Sequence, residues 1–526
     1  MSSTFSGFYV AKSGIQAARA NLEITGQNMT NVNTEGYTRQ RVDTSTVGSS
    51  TSNMRYANTT DLNVGGGVKC DSVSQMRDAY LDVRYRLQNA KVGDTSTQAD
   101  ILSSIENILD ESEGSGLDSL FSNVITELQN LSTPPIDSVS ESIVKTSCLL
   151  LTQSFNDISH QIEEVRNKAV GSLETEQVSQ VNNLLKNISY LNSEIKSADV
   201  SGSPALELLD QRNTMLDQLS KYVNIEVTQK EVGVGGGKTV YELSVDLVSG
   251  DQKFNLVSND DYRQFDLQKN ADTGALVEPI AILLRNSDGS LVSNSNTGAG
   301  LEGGKINDYL TVGTLHGSLA MINGKGPFAQ DGESTDRGIG YYETLLDGLA
   351  QSFADIMNRA NSTSDSEYNK PLFTTTDGST TTGITAGNIS LSNAWENSSG
   401  TYITATKNEG DATGNILHMI SELSKQRTYS TPDGKEYFTG SFRECVSNAS
   451  LTLALQLNDV DRQNSTYTAT LDDIDEARQA YSSVDTNEEA INMIMYNQAL
   501  TAASRFMTTM DEALDTIINR TGVVGR

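Results

Sequence analysis

The sequence predicts a multidomain α+β protein in which both chain ends form one terminal helical coiled-coil domain. Both halves of the chain also contribute to a long-helix bundle that carries β-rich outer inserts. Two observations predict this class: apolar residues recur at alternating spacings of three and four near each end, and two stretches between the helical regions are rich in strand and turn residues. A chain of 526 residues also exceeds a single ordinary core.

The two terminal stripes are narrow, like the seam of a coiled coil rather than the broader apolar face of a helix in a globular domain. The first comprises Phe8, Ala11, Ile15, Ala18, Leu22, Thr25, Met29 and Val32. The second comprises Met493, Tyr496, Leu500, Ala503, Met507, Met510, Leu514 and Ile517. Either stripe alone fits the edge of one large core equally well. Matched stripes at both ends, where chains usually fray, favour two helices that need a partner.

The first half of the chain alternates helices with short irregular segments. Helical spacing ends near residue 33, and Gly36 stands where a helix ends on a left-handed residue. Irregular or extended chain, with room for a small hairpin, follows to Lys69 before helices resume near Arg77. A helix with apolar residues from Leu117 onward ends before Pro134 and Pro135, because proline restricts its neighbour and cannot donate a backbone hydrogen bond.

The longest predicted helix runs from about Ser138 to Lys196 without a proline. At 1.5 Å per residue it is on the order of 80 Å long, which is typical of a fibrous or bundled element. A further helix, with the sequence PALELLDQRNTMLDQLSKY, has Pro204 in its first turn, where proline is favoured.

The second half contains both predicted inserts. Alternation, β-branched residues and turn signals predict an all-β insert over residues 224–314. A helix over 341–361 is followed by a second insert, rich in Ser, Thr and Gly, with scattered strand-like pieces and the single tryptophan, Trp395. Helical spacing returns over 442–480 and leads into the final stripe.

These elements predict four domains. Residues 1–35 with 487–526 form the terminal coiled coil; 36–223 with 315–362 and 441–486 form the helical bundle; 224–314 form the β-rich insert; and 363–440 form the second outer insert. Helices from both halves must meet, because a partly exposed stripe needs apolar surface to cover it. The first half of the chain is therefore expected to lead away from the terminal domain and the second half to return to it, with the two inserts at the end farthest from the termini.

Composition excludes several classes of protein. The formal net charge of -30 disfavours binding to nucleic acid or to an anionic membrane. No apolar run approaches the roughly 18 residues of a membrane-spanning helix, so no membrane insertion is expected. The N-terminus lacks the basic start and apolar region of a cleaved signal peptide. Three distant cysteines and three isolated histidines encode neither a disulfide framework nor a metal site.

Candidate catalytic motifs are absent. The stretch GVGGGKT, Gly233 to Thr239, lacks the first glycine of a phosphate loop, since Val232 occupies that position, and it favours a hairpin tip. An acidic cluster at Asp472, Asp473, Asp475 and Glu476 fits a solvated helical face better than a metal site. No catalytic residue, cofactor or metal ligand is predicted.

The stretch ANLEITGQNMTNVNTEGYTRQ resembles the signature of the axial proteins of the bacterial flagellum, which form its rod, hook and hook-associated parts. The matching residues are Ala20, Asn21, Asn28, Asn31, Thr34, Gly36, Tyr37, Arg39 and Gln40. Thr30 departs from the usual alanine. Within the signature, Asn28, Asn31 and Thr34 are predicted to cap the helix end, and Gly36 to supply a backbone conformation that side chains resist. A purely local turn and a direct subunit contact are equally compatible with these residues.

Three further stretches are similar to the hook-associated members that join the hook to the filament. They read LELLDQRNTMLDQLSKYVNIEV, LQNLSTPP before a long helix, and NEEAINMIMYNQALTAASRFMTTMDEALDTIIN. Leu500 replaces a frequent tyrosine, and the tail RTGVVGR runs past the usual end. The resemblance covers the helical parts at both ends, and the two inserts match weakly.

The resemblance implies a non-enzymatic structural subunit without cofactors, exported to the extracellular flagellum without signal cleavage. Its implied partners are further copies of itself in a ring or helical assembly, the hook protein, hook-associated protein 3, and an export chaperone that binds the C-terminal helices. The candidate assembly residues are those of the two stripes together with Asn28, Asn31, Thr34, Gly36, Tyr37 and Arg39. Two alternatives remain: another flagellar axial protein, or an axial protein whose insert is a hydrolase.

Overall fold

The computed structural model shows a chain that leads out through one set of helices, forms a β-sheet, and returns through a second set packed against the first. The structure describes residues 6–47, 66–110, 116–134, 136–202, 205–235, 238–295, 298, 300–330, 333–363, 369–407, 411–430 and 436–520. Pro135 and Pro204, to which the sequence assigned roles at helix ends, lie outside these residues.

The first elements are helix α1 (Ser6–Thr30), an antiparallel hairpin of β1 (Gln40–Thr46) and β2 (Val68–Gln75), and helices α2 (Ala79–Asp110) and α3 (Leu117–Leu131). The small hairpin for which the sequence left room is therefore present, although its second strand runs past Lys69 to Gln75. It rests against α1, where the backbone N–H of Val68 donates to Ser13 Oγ at 3.2 Å.

The predicted long helix is present and extends further than expected. It consists of α4 (Ser138–Ser172), a π-helical turn at Leu173–Gln177, and α5 (Val178–Ser201), with helical backbone angles at both junctions. Asp137 caps its start by accepting from the backbone N–H of Ser140 at 2.8 Å. The helix passes the predicted end at Lys196, and spans roughly 95 Å at 1.5 Å per residue. Helix α6 (Leu206–Tyr222) follows.

A five-stranded antiparallel sheet with neighbours in chain order comes next: β3 (Ile225–Gly235), β4 (Lys238–Ser249), β5 (Gln252–Ser258), β6 (Asp261–Leu267) and β7 (Ile282–Asn286). The glycine-rich stretch joins β3 to β4, where Gly233 pairs with Thr239. The hairpin prediction for this stretch is confirmed, although residues 236 and 237 lie outside the described part of the chain.

The returning half has more helix than the sequence predicts. It comprises α7 (Thr314–Asn323), α8 (Ile339–Asn361), β8 (Phe373–Thr375), β9 (Ile389–Leu391), α9 (Asn393–Glu396), α10 (Gly414–Ser424), β10 (Arg427–Ser430), β11 (Glu436–Gly440), α11 (Phe442–Ser482) and α12 (Thr486–Asp515), with a final π-helical turn at Thr516–Arg520. Helices α7 and α10 were missed, because each is short and lies within a stretch dominated by turn residues. The multidomain α+β class is confirmed.

The two halves meet around a cluster of buried phenylalanine rings. Phe121 of α3 lies 5.8 Å from Phe155 of α4, 5.5 Å from Phe353 of α8 and 5.5 Å from Phe442 of α11, measured between ring centroids. Aromatic pairs at such distances contribute about 0.5–1.5 kcal/mol each beyond their burial. Outgoing and returning helices therefore share one core, as the sequence predicts.

The packing differs from the predicted division at residue 223. A second core joins α5, α6 and α7 to the inner face of the sheet, with buried residues such as Leu185, Leu216, Phe254 and Leu315. One continuous helix thus enters both cores, through α4 in the first and α5 in the second. Apolar spacing identifies the inward face of a helix but not the element that covers it.

The second insert also differs from the expected outer appendage, because it packs into the first core. Trp395 is fully buried there, and its ring lies 6.0 Å from that of Phe373. The Glu141 carboxylate of α4, 2% exposed, accepts from Trp395 Nε1 at 2.9 Å. It also accepts from the backbone N–H groups of Tyr402 at 2.9 Å and Ile403 at 3.2 Å. Glu141 therefore fastens the insert to the long helix through three hydrogen bonds.

We expect Glu141→Ala to lower the free energy of unfolding by about 3 kcal/mol or more, because each buried donor left without a partner costs about 1–3 kcal/mol. The single tryptophan provides the measurement: its emission should shift to longer wavelength at lower urea concentration than in the wild type. Glu163→Ala removes a carboxylate that is 64% exposed on the same helix, and should leave the transition unchanged. Equal transitions for the two variants would contradict the fastening role.

Candidate assembly interface at the chain ends

Helices α1 and α12 pack side by side in antiparallel orientation. Gly7 near the start of α1 lies against Met510 near the end of α12, and a Cβ at Gly14 would lie 3.6 Å from that of Ala503. Arg39, after the end of α1, reaches Glu488 in the first turn of α12. Small residues at these positions let the two helix backbones approach closely. Each terminal stripe therefore pairs with the opposite end of its own chain.

The predicted stripes form the covered side of this pair. On α12 the stripe positions from Met493 to Leu514 are half-buried, whereas most residues between them are exposed. The stripe positions on α1 from Phe8 to Met29 are buried or half-buried. Val32, which is 36% exposed, follows the end of α1, and Ile517, which is 53% exposed, lies in the π-helical turn after α12. Neither residue lies on the covered side of the pair, because the α-helix that would continue the spacing ends before each of them. Their role in assembly stays a prediction.

The turn after α1 is organised by the buried side chain of Asn28. Its amide donates to the backbone oxygen of Gln40 at 2.9 Å, and its oxygen accepts from the Gln40 N–H at 3.0 Å and from the Tyr37 hydroxyl at 2.9 Å. Burial, followed by the charges of nearby carboxylates, raises the pKa of Tyr37 to about 12, so the phenol keeps the proton that it donates. Three signature residues thus close one loop.

The same turn packs against α6. Gly36 has a φ of +77°, and any Cβ there would collide with Thr214 of α6. The backbone N–H of Thr38 donates to Asp210 Oδ2 of α6 at 3.2 Å. A glycine is therefore required both by the backbone conformation and by the close approach of α6.

Two further signature residues act locally. Asn31 Nδ2 donates to the backbone oxygen of Gln27 at 3.0 Å. This bond satisfies one of the free carbonyl groups in the last turn of α1. The hydroxyl of Thr34 donates to Asn31 Oδ1 at 3.3 Å. The signature thus combines a local cap with contacts to a distant helix, so a purely local turn is not the whole account.

Arg39 ties this turn to the start of α12. Its Nε donates to Glu489 at 2.8 Å and its Nη1 to Glu488 at 3.0 Å, while its backbone N–H donates to the oxygen of Ser482 at the end of α11. Glu489 is 2% exposed, so this pair is largely shielded from solvent. Arg39 therefore fixes the direction in which the last helix leaves the bundle.

A second group of charges, the charged joint, lies among α2, α6 and α11 and consists of Arg77, Asp82, Arg86, Asp217 and Arg478. Asp217 of α6 accepts from Arg86 Nε of α2 at 2.8 Å and from Arg478 Nη1 of α11 at 2.5 Å. Arg77 Nε donates to Asp82 at 2.6 Å. All five side chains are at most 18% exposed. Outgoing and returning helices are thus joined by charges that are largely shielded from solvent.

The sequence did not identify the other face of α12. Ile491, Ile494, Met495 and Phe506 are 65%, 61%, 50% and 44% exposed, respectively. They lie on the side of α12 opposite the paired stripe, where Gln498 and Thr501 interrupt the apolar run. Because of this interruption the sequence pattern did not reveal the apolar face, and only the structure shows that α1 does not cover it.

The described residues contain no group of three His, Cys, Asp or Glu side chains placed to hold a metal ion. His316 Nδ1 lies 2.8 Å from Asp94 Oδ1 and joins α7 to α2, whereas His160 is exposed beside Glu163 and Glu164. Within the same part of the chain, no helix combines the length and the apolar character needed to cross a membrane.

Comparison with known proteins identifies the family. Residues 102–373 match the family described as flagellar hook-associated protein FlgK helical domain. Residues 8–38 match the flagella basal body rod protein family, and 478–520 match the C-terminal family of flagellar basal body rod FlgEFG proteins. Flagellar hook-associated protein 1 of Bacillus subtilis is 30% identical across the whole of both chains. The chain belongs to the FlgK family of flagellar hook-associated proteins.

Other relatives match a smaller part. Flagellar hook-associated protein 1 of Salmonella typhimurium is 29% identical over 42% of this chain and 39% of that protein. The flagellar hook junction protein FlgK from Burkholderia pseudomallei aligns with a TM-score of 0.41 and 21% identity over 56% of this chain and 45% of its own. Membership of the FlgK family makes this chain a structural, hook-associated component of the flagellum.

We expect Asp217→Ala to lower the free energy of unfolding by about 3–5 kcal/mol, because it leaves the buried guanidinium of Arg86 without its carboxylate partner, whereas Arg478 keeps Asp475 at 2.9 Å. Urea denaturation measures the loss, and amide hydrogen exchange should show earlier opening near residues 77–90 and 474–482. Asp472→Ala, at an exposed position of α11, is the matched control and should change neither quantity by more than about 0.5 kcal/mol.

Proposed function

We propose that this chain is a structural subunit of the junction between hook and filament, and that it assembles with further copies of itself through the α1–α12 pair. The observation that supports this is the exposed second face of α12. The pair uses its predicted stripe internally and leaves four large apolar side chains open on the other side. Apolar faces of this kind on a soluble chain are typical of contact surfaces.

In this proposal the candidate residues have two roles. The stripe residues hold α1 against α12, and the signature residues from Asn28 to Arg39 set the direction of the pair. The open face around Ile494 then contacts the next copy, where full burial of each large apolar side chain contributes roughly 1.5–3 kcal/mol. Such a contact is heterologous, and without closure it builds a helical lattice.

The proposed partners beyond further copies are the hook protein on one side and hook-associated protein 3 on the other. Before assembly, an export chaperone would cover the C-terminal helices, and the exposed face of α12 is a surface that such a chaperone would need to shield. The net charge of -30 supports solubility during that stage. Export to the extracellular flagellum would proceed without cleavage of a signal peptide.

We expect Ile494→Asp to block incorporation into the junction while the chain keeps its fold, because it places a charge on the open face only. Leu22→Asp and Leu514→Asp should also block incorporation, but through loss of the pair, since both side chains lie in the stripe. Electron microscopy for filament growth and circular dichroism of the purified variants separate the two effects.

Tyr190→Asp is the matched control, because Tyr190 is 64% exposed on α5 and belongs to neither helix of the terminal pair. Normal filaments in cells that carry only the Ile494→Asp variant would show that this face is not the assembly surface. If the Leu22→Asp variant keeps normal helicity but fails to assemble, then the stripe does not act by holding the helix pair together, and the separate roles of stripe and open face are wrong.

We also expect amide hydrogen exchange over residues 8–32 and 493–517 to be faster in the free monomer than in the assembly. A helix pair held by one narrow stripe is marginal in water, and several stripe positions carry only alanine or threonine. Equal protection in both states would show that the pair is already fully ordered before assembly.

A further inference from the structure

An apolar groove opens in the first core near the C-terminal end of α2. Its volume is about 670 Å³, and α3, α4, α8 and α11 contribute most of its lining. Leu117, Leu345 and Leu349 form a buried floor, while Leu150 at the wall is 50% exposed. We call this feature the bundle groove.

The groove continues into an exposed apolar stripe on α4. Val139 and Ile143 are 67% and 48% exposed, and they precede Leu150 at spacings of four and seven. The three side chains therefore share one face of α4, and that face runs on into the groove at Gln153 and Asp157. Together they form a strip that is roughly 25–30 Å long at 1.5 Å per residue, which is too long for a small molecule and suited to a helix.

The groove is acidic at its rim. Its charged lining residues are Asp118 and Asp157. Arg443 pairs with Asp118 at 2.7 Å, whereas Asp157 has no ion-pair partner among the described residues. Asp157 therefore places a negative charge at the rim that no cation of the described chain neutralises.

A complementary ridge lies on the exposed side of α2. Tyr80, Val83 and Leu87 are 67%, 57% and 44% exposed, at spacings of three and four. Arg84, which is also exposed, lies over the Tyr80 ring with its guanidinium carbon 5.7 Å from the ring centroid. We call these four residues the α2 ridge; it offers apolar side chains, a positive charge and a phenolic hydroxyl.

We propose that the α2 ridge of one copy docks in the bundle groove of the next. The apolar ridge residues would cover the part of the strip around Leu150, and Arg84 would face Asp157. This inference rests on the proposed self-assembly and adds a second contact, in the helical bundle, to the one at the chain ends. The occupant is a second copy because the α2 ridge presents apolar side chains beside a positive charge, which complements the apolar strip beside Asp157.

The geometry makes this contact heterologous. On α2, the ridge at Leu87 and the groove-lining Ile108 are separated by roughly 32 Å at 1.5 Å per residue. A copy that places its ridge in the groove of its neighbour is therefore displaced along the helix direction. Repeated heterologous contacts with such a displacement build a helical arrangement of copies rather than a flat ring.

Disulfide cross-linking in assembled flagella tests the proposal. In a Cys70→Ser background, Val83→Cys combined with Leu150→Cys should yield a ladder of dimers and larger species on mild oxidation. Each single substitution should yield none, because the contact joins two different surfaces. The remaining cysteines, Cys148 and Cys445, are at most 1% exposed and should not react. Val83→Cys combined with Leu417→Cys is the matched control, since Leu417 on α10 is also 50% exposed.

The outcome separates the two proposals. If the double variant enters the junction and supports filaments but gives no ladder, the ridge-and-groove contact is wrong and self-assembly through the chain ends stands. If single variants cross-link as strongly as the double variant, like surfaces meet and the heterologous contact is wrong. If the unsubstituted chain is absent from isolated junctions, the proposed function fails, and this inference fails with it.

Charge exchange gives a second, independent measurement. Arg84→Glu and Asp157→Lys should each reduce the cross-linked fraction several-fold, and the two together should restore it. A double variant no better than either single one would show that Arg84 does not face Asp157, and the proposed docking would be overturned.

Discussion

The charged joint among α2, α6 and α11 is the interaction on which the rest of the structure depends. Buried ion pairs contribute little net stability, but removing one partner is costly, so their geometry is demanding. Asp217 must lie between Arg86 and Arg478, which belong to the outgoing and returning halves of the chain. That requirement holds α6 in the position where the turn after α1 packs against it through Gly36 and Thr38. The direction of both chain ends follows from it.

The terminal pair is built quite differently from the bundle. Its helices touch along one stripe, whereas the bundle surrounds Phe121 with rings from three other helices. A domain held by one stripe is only marginally stable alone, and it gains most from additional partners. The structure therefore combines a firmly packed bundle with a terminal pair that is held along one stripe and carries exposed apolar side chains.

Polar side chains in the cores decide how the inserts are held. Glu141 binds the second insert through three donors, and Asn358 of α8 bonds the backbone of Leu372 and Phe373 at 2.7 and 2.8 Å. Buried groups of this kind tolerate few alternative arrangements, because each donor left unpaired is costly. The insert is therefore part of the structural core, although its Ser-, Thr- and Gly-rich sequence suggested an appendage.

The sequence by itself determined the elements whose signals are local. Spacings of three and four set the paired sides of α1 and α12, Gly36 marked the left-handed turn, and alternation marked the sheet, because helix and strand geometry repeat along the chain. Only the tertiary structure decided which surfaces meet. It decided that α5 and the sheet share one core, which groups pair with Glu141 and Asp217, and that the face of α12 around Ile494 stays open. Each of these features depends on residues that are far apart in sequence. Such contacts depend on long-range packing, which produces no periodic pattern in the sequence.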